Sequence, residues 1–130
     1  KKDRTMKFYG TKRNVAVDAD YKQIAALTQF WAEMRQQFPN EQLLGLGANW
    51  VDQTSFDYYI GKINQPWDGG INEISLPDDN WKEFQSSDSS DDIKNLYRTI
   101  YKQGKPLYEI EAIEDGKFTT KVYFRSRGEK

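Results

Sequence analysis

The segment Leu107-Tyr108-Glu109-Ile110-Glu111-Ala112-Ile113 places two carboxylates at alternate positions of an otherwise apolar run. Residues two apart in a strand point to the same side, so Glu109 and Glu111 project together while Tyr108, Ile110 and Ala112 project oppositely. Carboxylates on the inner side of a strand are costly unless something positive meets them. Any fold for this chain must either leave that face wet or supply a partner for it.

The flanking sequence points to a hairpin. Asp115-Gly116 separates this run from Phe118 to Arg125, and Asp-Gly between two apolar runs favours a two-residue turn. Such a turn sets Glu111 opposite Thr120 and Glu109 opposite Val122, with Phe118 on the same face and no cation directly across. A loop one residue longer would bring Glu111 opposite Lys121. The pair would then be the wet side of a half-buried strand, matched by lysines. The sequence leaves both readings open, and register decides between them.

Two helices are legible. Between Asp20 and Phe38 the apolar residues Ile24, Leu27, Trp31, Met34 and Phe38 recur three and four apart, which makes one stripe of an amphipathic helix. Asp18 or Asp20 caps its start and Pro39-Asn40 ends it. Trp31 and Met34 are expected to pack against a sheet. The second helix runs from about Asp91 to Gln103, with Ile93, Leu96, Tyr97 and Ile100 on one face. Ser90 or Asp91 is placed to cap it, and Gly104 followed by Pro106 stops it.

The other segments read as strands: 7–17, 43–51, 56–63, 71–76, 81–84, 107–113 and 118–125. Gln85 to Asp92 reads as a solvated loop. The order is strand, helix, strand, strand, then the same again, in halves of about 1–65 and 66–130 joined at Gln65-Pro66-Trp67-Asp68-Gly69-Gly70. We therefore expect one α+β domain over 1–130. Its duplicated strand-helix-strand-strand unit would form a curved antiparallel sheet, with two helices on one face and a ligand cleft on the other. Small apolar ligands favour such a concave, aromatic-lined surface.

Composition excludes much else. The chain has 130 residues and a net charge of −1, from 19 basic and 20 acidic residues. It shows no basic stripe for nucleic acid and no polybasic cluster for anionic membranes. Without cysteine there are no disulfides, thiol nucleophiles or thiolate metal sites. Without histidine the commonest general base and metal ligand is missing. The aspartates Asp78, Asp79, Asp91 and Asp92 sit at turns and helix starts, without a calcium-loop pattern. No metal or other cofactor is expected. Neither a membrane span nor a signal peptide is visible, so a cytoplasmic location is expected. The chain opens at Lys1 without a methionine, consistent with removal of an upstream tag or domain. Four Trp, eight Tyr and seven Phe exceed what a minimal core needs and favour an aromatic-lined concavity.

Four short motifs, in order, resemble the GyrI-like effector-binding domains, the ligand-sensing modules of multidrug-responsive bacterial regulators and their stand-alone relatives. They are Phe30-Trp31-Ala32-Glu33-Met34 on the first helix, Phe56-Asp57-Tyr58-Tyr59-Ile60-Gly61, Leu76-Pro77 with Trp81, and Tyr108-Glu109. The resemblance spans nearly the whole chain. It implies a cleft glutamate at Glu109, a flanking aromatic at Tyr58, and Leu76 beside Trp81, which stands where the family usually has tyrosine. Glu111 is an additional carboxylate outside the usual pattern. Trp81, Tyr58 and Phe118 would wall the cleft. Trp50 would rim it or cap the core, and Trp67 would rim it or anchor its turn.

The resemblance implies binding of lipophilic, cationic small molecules and a link to transcription regulation through a DNA-binding partner or domain. This chain has no helix-turn-helix of its own. Two rival readings follow from the same resemblance. Some family members hydrolyse reactive small molecules with the strand glutamate and the tyrosine of the third motif. An indole at Trp81 cannot donate a phenolic proton, so a hydrolase here would need Glu109 with a tyrosine from elsewhere, such as Tyr123. Other members inhibit DNA gyrase through protein contacts. The physics favours a cationic ligand: burial and mutual repulsion oppose ionisation of paired carboxylates, and a bound cation reverses both penalties. Aromatic walls add cation–π attraction.

Overall fold

The computed structural model describes residues 5–17, 22–51 and 54–124. The elements are β1 (Thr5–Ala16), α1 (Lys22–Gln37), β2 (Leu44–Val51), β3 (Ser55–Ile63), β4 (Asn72–Pro77), β5 (Lys82–Ser87), α2 (Ser90–Gln103), β6 (Pro106–Glu114) and β7 (Lys117–Phe124). The strands form one seven-stranded sheet in the order β4-β1-β3-β2-β6-β7-β5, antiparallel at every pairing. The fold is α+β, as expected from the sequence. No helix among the described residues is long and apolar enough to cross a membrane.

The strand order forces curvature. β4 and β5 are the two edges of the sheet, yet only residues 78–81 connect them. A link of that length spans at most about 18 Å. Seven flat strands would put the edges roughly 29 Å apart. The sheet therefore curls until its edges approach. Its inner surface collects Phe8, Leu46, Ala48, Tyr59, Leu76 and Ile110 from five strands, with Trp81 and Tyr108 packed against them.

The outer, convex surface carries both helices. α1 lays Phe30 and Met34 on Val15, Phe56, Tyr58 and Ile60, so it covers β1 and β3. Phe38 ends its apolar stripe, and the Phe38 amide donates to the Met34 carbonyl at 2.9 Å before Pro39 stops the helix. α2 covers the other end of the sheet, burying Ile100 and setting Tyr97 against Phe118 of β7. The expected caps Asp18 and Asp20 and the side chain of Ile24 lie outside the described residues.

Two expectations are corrected. The cap of α2 is Ser89, one residue earlier than expected, and its hydroxyl accepts from the Asp92 amide at 3.2 Å. Gln85 to Ser87 are not loop: they extend β5 and pair with Thr119, Phe118 and Lys117 of β7. A serine-rich edge strand carries no apolar alternation, so its strand character comes from its partner alone.

Candidate functional site

The β6–β7 hairpin turns through Asp115 and Gly116, both at positive φ (53° and 75°), the signature of the tight turn expected there. Glu111 consequently stands opposite Thr120, Glu109 opposite Val122 and Ile113 opposite Phe118. On the other side, Glu111 faces Gly45 and Glu109 faces Gly47 of β2, which in turn face Ile60 and Tyr58 of β3. Two rows therefore cross the middle of the convex surface, each interrupted by a glycine. These rows mark a seam between the surface covered by α1 and that covered by α2, with the carboxylates along it and the Tyr58 hydroxyl occupying the space over Gly45.

Tyrosines lean into this seam. Tyr58 reaches over Gly45 to donate its hydroxyl to Glu111 Oε1 at 2.5 Å, and itself accepts from Trp31 Nε1 at 3.0 Å. Tyr97 of α2 donates to Glu111 Oε2 and lies 3.2 Å from the Thr120 hydroxyl. Tyr101, one helical turn further on, brings its hydroxyl to Glu109. Glu109 is 5 % exposed, and its Oε2 has no hydrogen-bond partner.

Trp50 reaches the seam through a local irregularity. Strict alternation would send it to the concave surface with Leu46 and Ala48. Instead the register shifts between Ala48 and Val51, and Asn49 adopts a φ of 55°. A bulge re-aims the residue beside it. Trp50 thus stacks on Phe56, with centroids 4.3 Å apart, and its Cζ2 lies 3.5 Å from where a Cβ on Gly47 would sit.

Electrostatically the site is strained. Burial, reinforced by repulsion from Glu111, pushes Glu109 up to about 8, and the Tyr101 hydroxyl opposes this. Burial also raises Glu111, against the lowering effect of Tyr58 and Tyr97. The hydroxyls of Tyr58 and Tyr97 are pushed well up, first by burial and then by the charge of Glu111, so both stay protonated donors. Among the described residues no lysine or arginine pairs with either carboxylate; the ion pairs present lie elsewhere. No cluster of acidic residues among them is arranged to hold a metal ion.

Of the residues expected to form the site, Glu109, Glu111, Tyr58, Phe118 and Trp50 share this convex surface. Leu76 and Trp81 do not. Leu76 pairs with Met6 and belongs to the concave cluster. Trp81 packs on Tyr108 and Tyr123 there, with its Nε1 donating to the Pro77 carbonyl at 2.8 Å. Tyr123, the suggested partner for Glu109 in a hydrolase, is therefore across the sheet from it. Trp67 anchors its turn, packing edge-on against Phe38 and donating to the Tyr9 carbonyl.

The helix-free concave surface does not carry the glutamates expected there. It holds a groove of about 480 Å³ edged by Met6, Ile63, Trp81 and Ile110, with Asp78 and Lys121 at its rim. The reason is the pleat. Glu109 and Glu111 alternate with Ile110, and Ile110 takes the concave side. The sequence missed Tyr97 and Tyr101 as site residues. Their spacing of four on one helical face was the available signal.

The chain matches no family model, no curated protein and no solved structure.

Proposed function

We propose that the chain is a small-molecule binding module for lipophilic cations, received in the seam between the helices with Glu109 as counter-ion. The observation that carries this reading is a nearly fully buried carboxylate with one oxygen unpartnered and no protein cation against it. Such a group costs free energy in the free protein, and a cation recovers it by replacing lost hydration with direct pairing. Trp50 and Phe56 supply a stacked aromatic wall beside it. Flat cations gain from that surface as well as from charge.

The reading keeps Glu109 and Tyr58 from the resemblance to GyrI-like effector domains, but not Leu76 and Trp81, which lie on the other surface. It also treats the strand order β1-β3-β2 followed by β6-β7-β5 as two copies of one unit, meeting at β2 and β6. On that view the seam is the junction of the copies, and occupancy is passed to a DNA-binding partner. The test is titration with a flat protonated dye such as proflavine, followed by tryptophan fluorescence. Saturable binding that weakens at least tenfold in Glu109→Gln supports the reading; binding indifferent to that change removes it.

A second reading, hydrolysis, draws on the raised affinity of Glu109 for protons and the Tyr101 hydroxyl beside it. A carboxylate poised near neutrality is a competent general base. Turnover of an electrophilic ester or epoxide that is lost in both Glu109→Gln and Tyr101→Phe would favour it over binding alone.

A further inference from the structure

Two buried side-chain atoms have no hydrogen-bond partner among the described residues: Glu109 Oε2 and Trp50 Nε1. They belong to neighbours of one glycine. A Cβ on Gly47 would lie 3.5 Å from Trp50 Cζ2 and 3.7 Å from Glu109 Oε1, with nothing nearer. Once Glu109 is ionised its oxygen is only an acceptor, and the indole N–H is only a donor. They suit each other chemically and yet do not pair. Stacking on Phe56 holds the indole, and pairing of β6 with β2 holds the carboxylate. A guest that gives a hydrogen to Glu109 and accepts one from Trp50 satisfies both at once.

We infer that Trp50 is a specificity-determining residue, selecting cations that carry an N–H donor for Glu109 and, next to it, a hydrogen-bond acceptor for the indole. This rests on the binding reading above and narrows it. The favoured class is protonated amines or amidines bearing a carbonyl or ether oxygen. Quaternary ammonium and phosphonium ions supply charge but no hydrogen, and leave Oε2 and Nε1 buried unpaired. Sites built to hydrogen-bond a guest reject analogues lacking the group, because the site's own polar atoms are then stranded. A bridging water would serve the same two atoms, and it predicts no such selectivity.

The experiment is calorimetric titration of the full chain with three probes. The first is N-aminoethyl benzamide, the second phenylbutylamine, which matches its length without the acceptor, and the third the trimethylammonium derivative of the first. Wild type is expected to bind the first tighter than either other probe by roughly tenfold or more. Trp50→Phe, which keeps the stack on Phe56, is expected to cancel the preference over phenylbutylamine and retain the preference over the trimethylated probe. Equal affinities for the first two probes in wild type, both weakened in Glu109→Gln, would overturn the role of Trp50 and leave the charge reading standing. Binding insensitive to Glu109→Gln, or none by any probe, would overturn both.

Discussion

Tyr58 and Glu111 meet across an intervening strand: the phenol starts on β3, passes over Gly45 of β2, and donates to the carboxylate on β6 at 2.5 Å. Tyr97 closes the same carboxylate from α2. Glu111 is thus satisfied by neutral donors from both sides of the sheet's midline, whereas Glu109 keeps a free oxygen. The two carboxylates therefore divide their roles. Glu111 ties the halves together, and Glu109 is the one available to the proposed guest. Tyr58→Phe leaves Glu111 short of one donor and Trp31 Nε1 without its acceptor. It should lower unfolding free energy by about 1–3 kcal/mol, because buried polar groups are stranded rather than removed. Urea denaturation measures this, and an unchanged midpoint would refute the linking role of Glu111.

Stability should fall as pH rises from about 4.5 towards 8. The unfolded chain loses the Glu109 proton near the ordinary 4.5, while the folded chain holds it to about 8. Between those values the folded state binds more protons, and each pH unit costs at most about 1.4 kcal/mol. The raised Glu111 adds in the same direction. Glu33, lowered by its hydrogen bond with Arg13, has the opposite sign but acts below 4.5. Lys7 is raised and acts only at alkaline pH. Chemical denaturation across the range should show a descending limb that flattens in Glu109→Gln. A limb rising with pH would contradict the burial of this pair.

The hairpin was legible because its chemistry is local. Asp115-Gly116 demands positive φ at both residues, and that turn fixes the register that put Glu111 opposite Thr120. The helix stripes of Met34 and Ile100 were legible for the same reason. The side of the sheet was not. A period of two states that Glu109 and Glu111 share a face, but α1 and α2 choose their face through long-range packing on Val15, Phe56 and Phe118. Trp50 was a candidate for the rim, but the face it takes was not legible, since a bulge at Asn49 reverses its alternation without leaving a pattern in the sequence. Leu76 and Trp81 were grouped with the glutamates by motif order, and the pleat separates them.

Cation binding should release a proton. Below about pH 8 Glu109 is mostly neutral in the free protein, and pairing with a cation requires its ionised form. Affinity should then rise nearly tenfold per unit from about pH 6 to pH 8 and level off above that. Tyr58, Tyr97 and Tyr101 face the pair but are all shifted upward, so they do not titrate in this window. Calorimetry in two buffers of different ionisation enthalpy counts the released proton directly. Glu109→Gln should abolish most of the slope, any remainder belonging to Glu111. Affinity independent of pH would mean that the guest is not met by Glu109.

The two glycines of β2 should respond oppositely to alanine. At Gly45 a Cβ would sit 1.9 Å from the Tyr58 hydroxyl oxygen and 3.0 Å from Trp31 Cζ2, so the phenol must leave Glu111. Gly45→Ala should cost stability on the scale of Tyr58→Phe or more, about 2–3 kcal/mol, because the displaced ring has packed neighbours on every side. At Gly47 the nearest atoms would be 3.5 Å and 3.7 Å away, which is ordinary contact. Gly47→Ala should leave stability unchanged or raise it by up to about 1 kcal/mol through reduced freedom of the unfolded chain. Yet its methyl group would stand between Trp50 and Glu109, where the guest is proposed to bind. Cation affinity should drop at least several-fold in a protein that melts no earlier than wild type. Thermal denaturation and dye titration on the two variants separate the outcomes, and a Gly47→Ala protein with undiminished affinity would move the guest out of the seam.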